Sequence, residues 1–195
     1  MSKDIRITKR LVWEIELKIL TGIHIGGSKE IYGIGGIDNP VIKNPLNNQP
    51  IIPGSSLKGK IRSLLELNND PNMKIFEPDE NAPSRVIFRD MNLTNESIET
   101  LENSLGKNVF TEAKTENSID KKTGKAANPR ISERVPAGIS FESEIVINAY
   151  DNEDITGMAK SLKKGFDLLE LNYLGGSGTR GYGKVAVVIK NEREL

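Results

Sequence analysis

The sequence has no cysteine and a single histidine in 195 residues. The first absence excludes disulfides, thiolate zinc sites and a cysteine nucleophile. The second excludes multi-histidine metal cages and leaves little room for a serine–histidine pair. Aromatic residues make up 5% and apolar residues 36%, a lean supply for the core of one domain. No apolar run approaches the ~20 residues of a membrane span. The opening MSKDIRITKRLVW lacks the continuous apolar stretch of a signal peptide. A cytoplasmic, single-domain protein with no membrane partner is the expectation. Net charge is also absent, 27 basic groups against 27 acidic ones, yet the charges are unevenly spread. Residues 1–62 hold ten basic and five acidic groups, 63–104 three and nine, 105–134 seven and four, and 135–172 three and seven. Basic strips alternate with acidic ones, and nucleic-acid binding needs a local basic face, not a basic total.

What is present is a succession of strand and helix periods. Residues 5–20 alternate as a strand, and a parity change near Leu11 and Val12 predicts a bulge or the strand's entry there. Residues 21–50, rich in Gly, Asn and Pro, read as a long loop with short extended pieces at 31–34 and 41–42; such a loop is usually functional. Ser55 and Ser56 are candidate N-caps of a helix reaching about Leu67, with Leu57, Ile61, Leu64 and Leu65 on one face. A short strand at 85–90 and a short helix at 95–105 follow. Residues 107–138 are too polar to pack and read as a projecting hairpin. Residues 139–150 return to strand alternation, 153–172 form the clearest helix, and 184–190 form a last strand. The fold class is α+β. The order β-α-β-β-α-β matches the ferredoxin-like, RRM-like split motif, interrupted by long inserted loops and the arm.

Several motifs carry chemistry. Gly176-x-Gly178-x-x-Gly181 has dinucleotide spacing but lies between helix and strand, the wrong order for that fingerprint. With Gly175 and Gly183 it exceeds what a helix cap needs. Arg180 and Lys184 add charge and Tyr182 a stacking plane, so a backbone-lined phosphate-binding loop is favoured over a plain turn. Gly54 to Lys60 spaces like a P-loop, but Ile61 replaces the magnesium-binding hydroxyl. Lys58, Lys60 and Arg62 crowd the first turns of that helix, where the dipole disfavours cations. A phosphate bound among them, Ser55, Ser56 and free N–H groups would explain this; a solvated face is the bland alternative. His24, between glycines at a strand end, is as readily structural as a contact to a phosphate or 2′-hydroxyl. Asp38, before Asn-Pro, favours an Asx-turn on local grounds, though a loop carboxylate near RNA could hold a metal ion or orient a 2′-hydroxyl. The arm's Lys114, Lys121, Lys122, Lys125, Arg130 and Arg134 are either a solvated tip or the flank of a groove for a single strand.

Four segments then occur in a telling order: TGIHIGGSKEIYGIGGIDNPVIK, PIIPGSSLKGKIRSLLE, TEAKTENSIDKKTGKAANPRISER and LLELNYLGGSGTRGYGKV. Together the chain resembles the backbone RAMP subunits of type III-A (Csm) CRISPR effector complexes, in the Cas-seven superfamily, over most of residues 5–190. The resemblance implies one domain across 1–195: an RRM-like palm, a loop insertion at about 21–50, a lid-like segment at about 67–106 and a thumb at about 107–138. It implies helical stacking of copies along CRISPR RNA, other Csm effector subunits as partners, and metal-dependent (Mg²⁺ or another divalent cation) cleavage of paired single-stranded target RNA at regular intervals. The family's catalytic and metal-binding aspartate falls on Asp38. The family's RNA contacts fall on His24, Lys58, Lys60, Arg62, Arg130, Arg134 and, in the glycine loop, Gly175, Gly176, Gly178, Arg180, Gly181 and Tyr182; the readings of the helix start and the arm add Ser55, Ser56 and Lys122 as further candidate RNA contacts. The 67–83 connection is shorter than in many members, some of which carry zinc there; without cysteine no zinc is expected. A non-catalytic RNA-binding scaffold, or a P-loop-type nucleotide-binding protein, are the alternatives.

Overall fold

Successive side chains leave a strand on opposite sides, and this builds the centre of the molecule. In β1 (Ile7–Ile19), Trp13, Ile15, Leu17 and Ile19 all turn inward and are buried. The structure is a computed structural model that describes residues 6–27, 37–76, 83–119 and 122–195. Two further helices and six further strands complete its frame around α1 (Gly54–Leu67): β2 (Val86–Phe88), β3 (Asn92–Leu93), α2 (Asn95–Leu105), β4 (Glu112–Ile119), β5 (Ala126–Arg134), β6 (Ser140–Tyr150), α3 (Ile155–Glu170) and β7 (Val185–Glu194). The main sheet runs β2-β6-β1-β7, with β3 also paired to β6, and every pairing is antiparallel.

Neither the expected bulge nor a strand entry falls at Leu11 and Val12, since β1 begins at Ile7. Irregularities fall between Ile7 and Lys9 against β6, and between Glu14 and Ile15 against β7. Leu11, Val12 and Trp13 are buried in succession because both faces are covered here: Val12 lies opposite Val146, itself buried on the second face.

α1 and α3 cover the Trp13 face. Their apolar rows, Leu57, Ile61, Leu64 and Leu65 on one and Met158, Leu162, Phe166 and Leu169 on the other, are buried. Phe166 meets Trp13 at 6.0 Å between ring centroids. Each such buried side chain contributes on the order of 1.5–3 kcal/mol. Gly165 allows the helices to approach: a Cβ there would sit 2.5 Å from Ile61 Cγ2. α3 is capped by Asp154, which accepts from the Thr156 N–H at 3.0 Å, and α2 by Thr94, which accepts from the Ser97 N–H at 3.2 Å.

The start of α1 corrects the serine-cap expectation. Pro53 occupies the cap position, without a side-chain cap bond, and Ser55 and Ser56 lie within the first turn. The Gly54 N–H donates instead to Asp90 Oδ1 at 2.8 Å. The glycine is required by the chain crossing over it, since a Cβ would lie 2.4 Å from the Phe88 carbonyl oxygen.

The polar arm forms a separate two-stranded sheet, β4 against β5. The loop before α1 is organised by single bridges, Gly26 to Val41, Asn39 to Ser132 and Lys43 to Pro50. The expected extended piece at 31–34, and Lys121 at the arm's tip, lie outside the described residues. No described helix is long and apolar enough to cross a membrane.

Candidate nucleic-acid interface

Three segments far apart in sequence meet at the root of the arm, and Glu133 of β5 joins them. Its carboxylate is 3% exposed by residue. It accepts from the Val41 N–H at 2.9 Å, from Thr111 Oγ1 at 2.5 Å and from Lys43 Nζ. Its backbone N–H donates to the Asn39 carbonyl at 3.0 Å, and its own carbonyl contacts His24 Nδ1 at 2.7 Å. A buried carboxylate is tolerated only when its charge and lone pairs are matched, and here they are. Burial pushes the Glu133 pKa up, but the Lys43 ammonium, the Thr111 hydroxyl and the Val41 N–H outweigh it and hold it below its ordinary 4.5. A depressed folded pKa means stability that is fully present above the unfolded value and is lost as pH falls through the folded one. Glu133→Gln is therefore expected to be less stable than wild type at neutral pH. The gap should narrow as melts are taken progressively below about pH 4.5; a pH-independent gap would exclude ionisation as the cause.

Asp38 is exposed and clamped to the same strand. Its N–H donates to the Ile131 carbonyl at 3.0 Å, and its Oδ2 accepts from the Ile131 N–H at 2.8 Å. This corrects the local Asx-turn reading: the residue two positions on is Pro40, which has no N–H to give. The carboxylate reaches across to β5 instead. His24 joins the cluster on its other side, since its carbonyl accepts from the Gly176 N–H at 2.8 Å. His24, Asp38, the arm root and the glycine loop thus form one continuous surface.

The glycine loop is shaped by packing as much as by openness. A Cβ on Gly175 would lie 2.3 Å from the His24 carbonyl oxygen, on Gly178 2.0 Å from the Tyr173 ring, and on Gly183 2.0 Å from the Leu174 carbonyl oxygen. Gly176, Arg180 and Gly181 remain exposed, and Arg180 Nη2 donates to Ser177 Oγ at 2.6 Å. Tyr182 differs from the sequence expectation. It is 2% exposed, with Lys114 Nζ 4.7 Å and the Arg134 guanidinium 5.2 Å from its ring centroid, so the ring is covered and has no face for a base. Burial, with the Glu116 carboxylate nearby, pushes its phenol pKa up.

Several expected RNA contacts are held by the protein itself. Arg134 Nε pairs with Glu112 Oε1 at 2.6 Å. Lys60 Nζ donates to Asn172 Oδ1 at 2.8 Å and lies 3.9 Å from the Tyr173 ring centroid; burial lowers its pKa. Lys58 Nζ donates to Ser84 Oγ at 3.3 Å. Through Lys60, α1 is fastened to the segment that enters the glycine loop, whereas Ser55 and Ser56 follow Gly54, whose N–H is already held by the Asp90 carboxylate. Arg62 is half-buried on α1, Arg130 is exposed on β5, and Lys122 is exposed at the arm's tip, away from its root. Glu133, Glu112 and Tyr173 were not legible as site residues: each acts through a partner distant in sequence.

The open face of the sheet is acidic. Glu14 lies opposite Glu144 and Glu16 opposite Glu142, an arrangement that is unfavourable for like charges. It is relieved by Lys190 on Glu16 and by Arg193 on Glu144. Such a face is poorly suited to a phosphate backbone.

No cluster of three or more histidine or carboxylate side chains suited to a metal cage occurs among the described residues. Asp38 fits a different arrangement. Magnesium keeps several waters and is commonly held by one or two carboxylates plus the substrate's phosphates, which one exposed, oriented carboxylate satisfies.

An antiparallel α+β palm carrying a two-stranded arm, with a carboxylate clamped at the arm's root, defines the class. The RAMP superfamily model matches residues 16–186, and the chain belongs to that superfamily. It is 42% identical over 194 residues to the CRISPR system Cms endoribonuclease Csm3 of Streptococcus thermophilus, covering 91% of this chain and 86% of that protein. The protein of the same name from Methanothermobacter thermautotrophicus is 38% identical over 209 residues, covering 92% and 84%. Among solved structures, a chain of the Csm3–Csm4 subcomplex of the type III-A interference complex matches with a TM-score of 0.58 at 29% identity, over 97% of this chain and 80% of that one. A chain of the type III-B Cmr-beta complex bound to cognate target RNA matches with a TM-score of 0.66 at 20% identity. It covers 96% of this chain and 61% of that one, a likeness of fold alone.

Proposed function

We propose that this chain is a backbone subunit of a type III CRISPR effector that binds CRISPR RNA and cleaves the paired target RNA, metal-dependently, through Asp38. The observation that carries this reading is the joining of Asp38 to the arm root at Ile131. It ties Asp38, the one exposed carboxylate among the loop's described residues, to the element that, as a thumb, would enter the guide–target duplex. The relatives' shared name supports the endoribonuclease activity. We read the chain as one RAMP domain whose strand order, β2-β6-β1-β7, is the ferredoxin-like, RRM-like palm. The 21–50 loop, the 67–106 lid and the 107–138 thumb are its insertions. Copies stack along the guide beside other Csm subunits.

The chemistry is in-line attack of a target 2′-hydroxyl on its own phosphate. The new O–P bond forms as the bond to the 5′-oxygen breaks, leaving a cyclic phosphate and a 5′-hydroxyl. Asp38 would hold a divalent cation, which when bound supplies neutralisation of phosphate charge. The chain's own contribution is orientation: Ile131 fixes the Asp38 carboxylate, and the thumb displaces the nucleotide at the cut. His24, with its Nδ1 held by the Glu133 carbonyl, keeps its other ring nitrogen for the guide. Arg130, Arg180 and the exposed glycine backbone are the phosphate contacts we favour most; Arg62 and Lys122 extend them. Lys58, Lys60 and Arg134 shape the surface and reach RNA only from its edge.

The test is cleavage of labelled complementary RNA by the assembled complex with Mg²⁺. A ladder of evenly spaced cuts is expected, and an uncut target would sink the nuclease reading. Arg130→Ala and Arg180→Ala should each weaken RNA binding and flatten the plot of log affinity against log salt, by about 0.7 per lost phosphate contact on a single strand. An unchanged slope would remove that arginine from the interface. The P-loop alternative is disfavoured, because the Gly54 N–H already holds a carboxylate and Lys60 is packed on Tyr173.

A further inference from the structure

We propose that Tyr182 is a positioning residue, the aromatic post on which the two strands of the thumb are seated so that Asp38 is held in register. The proposal rests on the nuclease reading above and deepens it. Three observations carry it. First, the ring is buried in the palm's glycine loop, yet one cation from each thumb strand lies over it, Lys114 from β4 and Arg134 from β5. Cation–π contacts strengthen when the partners are desolvated, so this pairing grips both strands together. Second, Arg134 is aimed from both sides. Its Nε is fixed by Glu112 at 2.6 Å, its opposite residue across the hairpin. Its side chain also runs along the backbone of Gly22, where a Cβ would come within 2.8 Å of Arg134 Cδ. The palm therefore offers a slot, Gly22, and a post, Tyr182, and the Gly183 N–H bonded to the Gly22 carbonyl at 3.1 Å holds the two together. Third, the same strand carries Ile131, three residues from Arg134, whose N–H and carbonyl clamp Asp38. A thumb that rocks on its root moves Ile131, and Asp38 with it. The hairpin is otherwise a sheet of its own, so its angle is set where it joins the palm.

This role differs from that of a base-stacking tyrosine, since the ring is covered, and from that of a core filler, since a core filler needs no cations. Tyr182→Phe keeps the ring and both cation contacts; Tyr182→Leu keeps apolar bulk and removes the ring face. Two measurements are made on the assembled complex. One is hydrogen exchange of the 130–134 backbone, which does not depend on cleavage. The other is single-turnover target cleavage at saturating target, with cut positions mapped. The expected result is near wild-type behaviour for Phe. For Leu, exchange at Ile131 should be faster by about tenfold, cleavage slower by a similar factor, and cuts blurred by a nucleotide, with guide RNA still bound. Lys114→Gln, at a partly exposed position, is the second variant should Leu not assemble, and should show the same pattern in weaker form. Unchanged exchange at 130–134 in Leu, or in Lys114→Gln if Leu does not assemble, overturns the proposal. So does a Phe variant as impaired as Leu, which would assign the effect to the hydroxyl. Failure of the nuclease reading is separately visible, as wild-type complex that does not cut while exchange still responds to the Leu change.

Discussion

Asp38→Ala in the assembled complex is expected to reduce target cleavage by at least about 100-fold while guide RNA still copurifies. A loss of that size corresponds to about 2.7 kcal/mol of transition-state stabilisation, ordinary for a group that organises charge at a reacting phosphate. The geometry adds a complication that a single alanine would hide. Oδ2 of Asp38 also accepts the Ile131 N–H, so alanine removes a strand clamp together with the charge. Asp38→Asn separates the two, because its carboxamide oxygen can accept the same N–H while carrying no charge to hold a cation. If Asn and Ala are equally dead, the charge is what matters. If Asn cuts at near wild-type rate while Ala does not, the carboxylate serves to seat the thumb and the chemistry lies elsewhere. If both cut normally, Asp38 is not the catalytic group, and the active site lies at another residue or in another subunit.

The limits of sequence reading show at particular residues. The periods of β1 and of α1 and α3 were legible because burial of one face imposes alternation on strands and a three-to-four spacing on helices. The arm was legible from the opposite sign, too little apolar surface to pack. What failed was anything set by a contact across the chain. Ser55 and Ser56 have the right chemistry for caps, yet a carboxylate 36 residues away in sequence reached the Gly54 N–H first. Tyr182 sits among glycines and a lysine, the composition of a stacking platform, and is buried because Arg134 and Lys114 fold over it. Glu133 reads as one acid among basic neighbours, and only the fold shows it binding Lys43, Thr111 and Val41. Asp38 is singled out as a candidate only by resemblance to a family; its local sequence favours a turn that Pro40 forbids.

The second large effect is on stability and uses two glycines of the same loop. Gly183→Ala is expected to destabilise the fold by about 4 kcal/mol or more. Its φ is +71°, a region costing a non-glycine residue about 1–2 kcal/mol. An added Cβ would also stand 2.0 Å from the Leu174 carbonyl oxygen. That oxygen belongs to backbone whose N–H is bonded to the Gly183 carbonyl at 2.9 Å, so relief requires moving the start of β7 away from the loop. For a chain of this size the melting temperature should fall by roughly 8–16 °C. Gly181→Ala is the control. Its φ is +90°, equally unsuited to alanine, but nothing lies within 4 Å of the added Cβ. It should therefore cost only the conformational part, about 1–2 kcal/mol. The difference between the two melts isolates the backbone collision. Equal losses would mean that the loop yields around Gly183, and that its glycines serve backbone conformation alone. A clearly larger loss at Gly183 than at Gly181 would mean that the loop is a rigid seat, held between Gly22 on one side and Leu174 on the other, which is what the proposed phosphate-binding role of Arg180 and the bare backbone requires.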